Sequence, residues 1–417
     1  MMGYSSATRT VMAVALVGLH ASVSTVLAGP PLAARAAPAN CQNNGTFEHW
    51  LDSFRREASA KGISQATITA TLDRMTLNPG ILARDRRQTF FSQSFLEIAD
   101  KLATKHRVQS GSRAMERHRA VFQRAEKDYG VPASVIAAFW ALESDFGAGM
   151  GKLPVLRSLA SLAYDCRRGD QFRSELLDAL RIIDRGDLKP AEMIGSWAGE
   201  LGQTQFLPSH YFKHAVDYDG DRRRDLVRSG PDIIGSTAAF LASLGWQRGQ
   251  PWLEEVRVPA NLPWEQADLQ IQHPRTTWAE WGVRQADGRR LPHDAMLASL
   301  HLPMGRHGPA FLAYPNFQAF LKWNQALNYA TTAAYLAARL AGAPPMSRGN
   351  SRVTPFGHEQ TRELQMLMTQ RGLYKGELDG KLGAATRGSV RLAQQQYGLP
   401  ADSYPTPELL ERLRRPR

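Results

Sequence analysis

The stretch Ala343-Pro344-Pro345-Met346-Ser347-Arg348-Gly349-Asn350-Ser351 divides the chain. Adjacent prolines cannot continue a helix or a central strand, and the Gly, Ser and Asn that follow favour turns. Any fold must therefore place one body before this stretch and a second, much smaller one after it. The length of 417 residues agrees, being more than one core usually needs. Hydrophobic residues at 43% and charged residues at 22% are ordinary for globular domains. The expected division is a body over 45–342, a linker over 343–355 and a C-terminal unit over 356–417.

The body reads as helical. Phe47, Trp50, Leu51 and Phe54 recur at helical spacing, Gly62 marks a stop, and Ser64 is the next N-cap. Helical patterns follow over 86–105 and 113–129. Pro132 and Ser134 open a further helix that Gly147 closes. Others are expected over 154–165, 170–185, 232–244 and 326–341. Between 250 and 310 the texture shifts to Pro, Trp and short alternating runs such as Leu253-Glu254-Glu255-Val256-Arg257-Val258, which predict a few strands. The fold class is mainly α with a small β-containing insertion. No internal repeat is visible.

The first residues read as a processing segment. Arg9 supplies a positive start, Val11 to Ala28 is mostly apolar, and Val26-Leu27-Ala28 offers a cleavage site. A cleaved signal over 1–28 and a linker over 29–44 predict a periplasmic protein with no membrane span after cleavage. Cys41 lies too far from the apolar run for lipid anchoring. It and Cys166 are the only cysteines, and an oxidising compartment favours a disulfide between them over two free thiols. The net charge of +12 favours polyanionic or anionic partners. No basic run of nucleic-acid type is present, Arg222-Arg223-Arg224 being set among aspartates, so nucleic acid is not the expected partner.

Three segments carry chemistry. In Phe139-Trp140-Ala141-Leu142-Glu143-Ser144-Asp145-Phe146-Gly147 a carboxylate sits in an apolar helix, where desolvation should raise its pKa and suit it to donate a proton. Taken alone, such a Glu is more often exposed or paired. Asp145, two residues on, points to another face, so no paired carboxylate of glycosidase type is evident. Ser196-Trp197-Ala198-Gly199-Glu200-Leu201-Gly202-Gln203-Thr204-Gln205-Phe206-Leu207-Pro208 shapes a tight backbone around neutral polar groups, with Glu200 read as solvated or paired. Asp217, Asp219 and Asp221 alternate like the first ligands of an EF-hand loop. The Arg223 carbonyl and the Asp225 carboxylate could follow, and a helix-capping Asp232 could complete the shell. Arg222 and Arg228 stand where that loop has Gly and Glu, so the alternatives are a structural Ca²⁺ and aspartates paired with arginines. His210 and His214, four apart, are a weak zinc signal.

The Glu143 and Ser196–Pro208 segments, in this order and spacing, resemble the catalytic core of the lytic murein transglycosylase B family over about residues 45–342. The resemblance implies a lysozyme-like helical catalytic module. Glu143 would be the sole catalytic residue, acid and then base, and no cofactor would be required for the chemistry. It further implies substrate contacts from Ser196 and Gln205, from the paired Arg167 and Arg168, and from Trp323, Asn324 and Tyr329. Gln203 is a further substrate-binding candidate, with loop-tying as its alternative role. Beyond the linker, Leu364-Gln365, Asp379-Gly380, Gly383 and Thr386 resemble the peptidoglycan-binding module of wall hydrolases, a three-helix bundle. The expected activity is non-hydrolytic cleavage of peptidoglycan glycan strands to 1,6-anhydro-N-acetylmuramic acid. A catalytically silent wall-binding scaffold and a hydrolytic muramidase are the alternatives.

Overall fold

A computed structural model describes residues 45–86 and 93–415. The signal segment, the 29–44 linker and Cys41 lie outside the described residues, and with Cys41 the Cys41–Cys166 pairing. Among the described residues no helix is long and apolar enough to cross a membrane.

Helices dominate, and their ends follow local chemistry. Thr46 caps Phe47–Ala60 by accepting from the His49 amide, and Ser64 caps Gln65–Leu72 by accepting from the Thr67 amide at 3.2 Å. Helices Val155–Tyr164, Gly169–Asp184, Gly230–Ser243 and Leu327–Leu340 stand within a residue or two of their sequence-predicted spans. The pattern over 113–129 resolves instead into Lys105–Arg117 and Arg119–Tyr129, because His118 (φ −110°, ψ 27°) leaves the helical basin. Helix Phe95–Leu102 opens with a capping box between Ser94 and Glu97.

The described residues form two compact units, one from those within Met1–Gln88 and Phe139–Phe240, the other from those within Thr89–Ala138 and Leu241–Arg417. In the first, Phe47, Trp50 and Phe54 stack along one helix face, with ring centroids 5.5 Å apart at each step. Helix Pro208–His214 is held to Gly169–Asp184 by the Ser209 amide and hydroxyl, which donate to the Glu175 carboxylate at 2.9 and 2.8 Å.

The second unit contains the predicted β insertion. It is an antiparallel sheet in the order His273–Pro274, Leu297–His301, Ala310–Ala313, Leu253–Arg257, Arg284–Gln285. Leu300 pairs with Leu312, and Glu255 with Phe311. Trp278, Leu300, Leu312 and Tyr314 form its core.

The same unit holds the C-terminal helices His358–Gln370, Ala384–Gln396 and Pro407–Arg414, packed on Leu364, Met368, Val390 and Leu409. Gln365 explains the spacing of the motif around it. Its buried amide donates to Asp379 Oδ1 (2.9 Å) and Thr386 Oγ1 (3.1 Å) and accepts from the Gly380 amide (2.8 Å). Gly380, at φ 66°, supplies the left-handed turn. Gln394 repeats the device, donating to Asp402 Oδ1 and the Tyr404 carbonyl and accepting from the Ser403 amide. This is a structural repeat that the sequence does not display.

The Pro/Gly-rich stretch is not a free tether. The Ser347 amide donates to Glu255 at 2.7 Å, Arg348 pairs with Asp100 at 3.0 Å, and the Asn350 amide donates to the His307 carbonyl at 2.9 Å. Arg387 reaches from the C-terminal helices into the insertion, buried, donating to the carbonyls of Leu302 and Pro303. Asp402 accepts from the Arg306 amide at 3.0 Å, and Ser403 donates to the Ala267 carbonyl at 3.2 Å.

Candidate active site

Helix Ala133–Ser144 is apolar almost all round, with Val135, Ile136, Ala137, Ala138, Phe139 and Ala141 buried, so it must run through protein interior. Glu143 is half-buried on its last turn. The helix stops earlier than Gly147: Asp145 (φ 48°), Phe146 (φ 58°) and Gly147 (φ 93°) all take left-handed backbone. Two non-glycine residues there store strain, which persists only where surrounding contacts enforce it. The enforcing contacts are visible. Ser144 Oγ accepts from the Gly147 amide at 3.0 Å and donates to the Gln203 carbonyl at 2.7 Å. A Cβ on Gly147 would meet the Gln203 side chain at 2.7 Å.

Gln203 therefore binds the 196–208 loop to the Glu143 helix. Its Oε1 accepts from Trp140 Nε1 at 2.7 Å, its Nε2 donates to the Val227 carbonyl at 2.8 Å, and its amide donates to the Leu226 carbonyl at 2.7 Å. Both ends of the side chain hydrogen-bond the scaffold, the loop-tying role named as its alternative. Gln205 also has left-handed backbone (φ 48°), and its Nε2 donates to the carbonyls of Met150 (3.1 Å) and Gly202 (2.9 Å). The side chain is thereby fixed with Oε1 as its remaining acceptor.

Ser196 is buried, and its hydroxyl is saturated within its own loop. It accepts from the Ala198 and Glu200 amides at 3.1 and 3.3 Å and donates to Glu200 Oε2 at 3.0 Å. Glu200 is half-buried; its Oε2 accepts from the Ser196 hydroxyl, and it feels the charge of Glu143. Burial first, and the Glu143 charge second, push its carboxyl up to about 8, against smaller opposing effects of Ser196 and Arg168. No sequence signal points to this, since Glu200 is flanked only by glycines and apolar residues.

Arg167 and Arg168 converge on buried Asp85. Arg167 Nη1 lies 2.8 Å from Asp85 Oδ2, Arg168 pairs with Oδ1, and the Arg168 guanidinium sits 4.8 Å from the centre of the Phe172 ring. Asp85 was not foreseen. It fixes the arginine pair by a buried carboxylate, a strong arrangement because both oxygens are used.

The aspartate loop lies in the same unit. Carboxylate oxygens of Asp217, Asp219 and Asp221 come within 4.8 Å of one another. Arg222, at the EF-hand glycine position, takes φ 74°, so the turn forms despite the side chain. Asp225 and Asp232 are otherwise engaged. Asp225 accepts from the Val227 and Arg228 amides and pairs with the Arg228 guanidinium at 2.8 Å. Asp232 accepts from the Tyr218, Asp219 and Asp225 amides. The Arg223 side chain turns to the Asp187 carbonyl and to Glu192. The convergent set is thus the three aspartates. His210 and His214 both pack on Phe240, with ring centroids 4.7 and 5.0 Å away.

The family model for the transglycosylase SLT domain matches residues 46–338. The chain belongs to the transglycosylase SLT family. A second model, a putative peptidoglycan binding domain, matches 357–413. Among solved structures, this SLT protein is similar to SltB3 from Pseudomonas aeruginosa, solved in complex with NAG-anhNAM-pentapeptide. The two are 40% identical, with 89% of this chain and 100% of that chain covered and a TM-score of 0.83. The membrane-bound lytic murein transglycosylase B of Escherichia coli (strain K12) is 27% identical over 297 residues, covering 69% of this chain and 80% of that one. The E. coli lytic transglycosylase Slt35, solved in complex with calcium, is 26% identical with a TM-score of 0.60, covering 73% and 94%. The mainly helical, lysozyme-like class read from the sequence is the fold of this lytic transglycosylase family.

The remaining expected residues of the SLT domain lie in the second unit. Trp323 ends helix Phe317–Trp323 half-buried, and Asn324 follows it, buried, with Oδ1 accepting from the Ala326 amide at 2.9 Å. Tyr329 is buried in the first turns of Leu327–Leu340. Phe317 and Phe320, by contrast, are core side chains.

Proposed function

We propose that this SLT-family chain is a lytic transglycosylase acting on peptidoglycan. It would cleave the β-1,4 bond between N-acetylmuramic acid and N-acetylglucosamine, with Glu143 as acid and then base. Glu143 gives its proton to the glycosidic oxygen as the C1–O bond breaks. The substrate's own N-acetyl group shields the developing positive charge. The Glu143 carboxylate then takes the proton from the C6 hydroxyl as that oxygen bonds C1. The proton returns to Glu143, no water is consumed, and the product ends in a 1,6-anhydro ring. One observation carries the choice of Glu143: it is half-buried on the last turn of a helix whose other side chains are largely buried and apolar, and that helix end is fixed to the loop carrying Gln205 by Ser144 Oγ and Trp140 Nε1.

Supporting parts take the following roles. Gln205 Oε1 accepts from a sugar amide or hydroxyl, and Arg167 and Arg168, steadied by Asp85, face anionic groups of the wall. Ser196 acts through Glu200. Trp323, Asn324 and Tyr329 serve the glycan through stacking and amide contacts. The C-terminal unit binds peptidoglycan, in keeping with its domain match. Asp217, Asp219 and Asp221 fit a Ca²⁺ ion by oxygen donor type and convergence; such an ion would brace the loop that follows the 196–208 segment and plays no part in the proton transfers. The periplasm is the expected location, and a Cys41–Cys166 bridge suits it. Glu143→Gln tests the assignment: it preserves size but cannot transfer the proton, so turnover should fall by at least ~10². Retained turnover would remove Glu143 from the reaction.

A further inference from the structure

We propose that Tyr211 is a positioning residue for the reaction assigned to Glu143: its hydroxyl closes the arch of residues 203–211 and so holds Gln205 in place for the substrate. The inference rests on the proposed roles of Glu143 and Gln205 and extends them to a buried side chain on the helix that follows the loop.

Tyr211 stands in helix Pro208–His214, directly after the 196–208 loop. The segment 224–227 forms neither helix nor strand, so its buried backbone groups depend on side chains and loop amides for partners. The Tyr211 hydroxyl partners two of them: it donates to the Arg224 carbonyl and accepts from the Leu226 amide at 3.2 Å. Burial pushes the phenol well above its usual range, so the hydroxyl keeps the proton it donates. The other side of Leu226 is taken by the loop. Its carbonyl accepts from the Gln203 amide at 2.7 Å, and the Val227 carbonyl accepts from Gln203 Nε2 at 2.8 Å. A Cβ on Gly202 would come within 2.7 Å of the Leu226 oxygen, so the close approach requires glycine. Leu226 therefore grips both ends of the arch, Gln203 through its carbonyl and Tyr211 through its amide.

Gln205 lies within that arch at φ 48°. A non-glycine residue keeps left-handed backbone only where its surroundings enforce it, and the clasp on Leu226 enforces it from both sides. Gln203 passes the constraint to the end of the Glu143 helix, through Ser144 Oγ on its carbonyl and Trp140 Nε1 on its Oε1. Without the hydroxyl, the Tyr211 end of the arch is released from the 224–227 segment. That segment keeps its other anchors, because Asp187 and Asp232 still accept from the Arg224 and Asp225 amides at 3.2 and 2.7 Å. The loss therefore falls on the arch and not on the fold as a whole.

Tyr211→Phe keeps the ring and removes only the hydroxyl. In the folded variant kcat/KM on peptidoglycan should fall about tenfold, through displacement of a positioned group. A double-mutant cycle separates this role from a merely structural one. In a Gln205→Ala background, Tyr211→Phe should cost no more than about a further twofold, because the group it positions is gone. A second arm needs no variant. In the unaltered protein the Leu226 and Gln203 amides should share one degree of protection from hydrogen exchange, as parts of a clasp that opens together. Undiminished turnover by Tyr211→Phe, losses that multiply in the double variant, or a Leu226 amide far less protected than that of Gln203 each overturns the proposal. Undiminished turnover by Gln205→Ala would instead defeat the substrate role of Gln205, and by Glu143→Gln the assignment of Glu143 itself.

Discussion

Trp140 Nε1 donates to Gln203 Oε1 at 2.7 Å, joining the helix that carries Glu143 to the loop that carries Ser196, Glu200 and Gln205. The opposite end of the same amide donates to the Val227 carbonyl, so one side chain spans three segments. Gln203→Leu should leave the indole N–H and the Val227 carbonyl unpaired, at a cost of about 1–3 kcal/mol for each group that stays buried. Thermal or urea unfolding would read the loss of stability. Activity should fall through both kcat and KM, since the loop moves as a whole. Unchanged stability with a rise in KM alone would instead make Gln203 a substrate contact.

Calcium should stabilise the protein through Asp217, Asp219 and Asp221. A ligand bound only by the folded state adds about 2.7 kcal/mol at a hundred times its dissociation constant. The melting midpoint should rise between chelator and millimolar Ca²⁺. Asp221→Asn is the informative variant. Asp221 Oδ1 accepts from the Arg223 amide at 2.8 Å, and Asn preserves that bond while removing the charge. The calcium-dependent shift should shrink sharply in the variant. Equal midpoints in both solutions for the unaltered protein would mean that the aspartates serve the loop's own amides alone.

Arg387 joins the C-terminal helices to the β insertion. Arg387→Met keeps much of the volume but orphans the Leu302 and Pro303 carbonyls, and should destabilise the protein by about 2–3 kcal/mol in denaturant unfolding. The two parts should still unfold in a single transition, because Asp402 and Ser403 continue to hold the contact. A stable variant, or two well-separated transitions in the unaltered protein, would restore the picture of a tethered, independent module.

These contacts show where sequence reading succeeds and where it stops. Helices such as Val155–Tyr164 and Leu327–Leu340 were legible because their apolar residues recur at helical spacing. The Gln365, Asp379-Gly380 and Thr386 spacing was legible because a single buried amide joins all of them locally. The apolar helix that carries Glu143 was legible, and it forms as Ala133–Ser144. Glu200 was not, because what sets its chemistry is a neighbour on another element. Asp85 beneath Arg167 and Arg168, and Leu302 beneath Arg387, were hidden for the same reason. The stretch after Ala343 has a linker's composition, yet Glu255, Asp100 and His307 hold it, and composition does not report distant partners.

The chemistry of Glu143 is tested most directly by the mass of what it releases. Peptidoglycan digested by the purified protein and separated by liquid chromatography with mass spectrometry should yield muropeptides ending in 1,6-anhydro-N-acetylmuramic acid. Each should be lighter than its hydrolysed counterpart by one water, and their yield should fall by at least ~10² with Glu143→Gln. Products ending only in reducing N-acetylmuramic acid would contradict the account, since water rather than the C6 hydroxyl would then be giving its proton to Glu143.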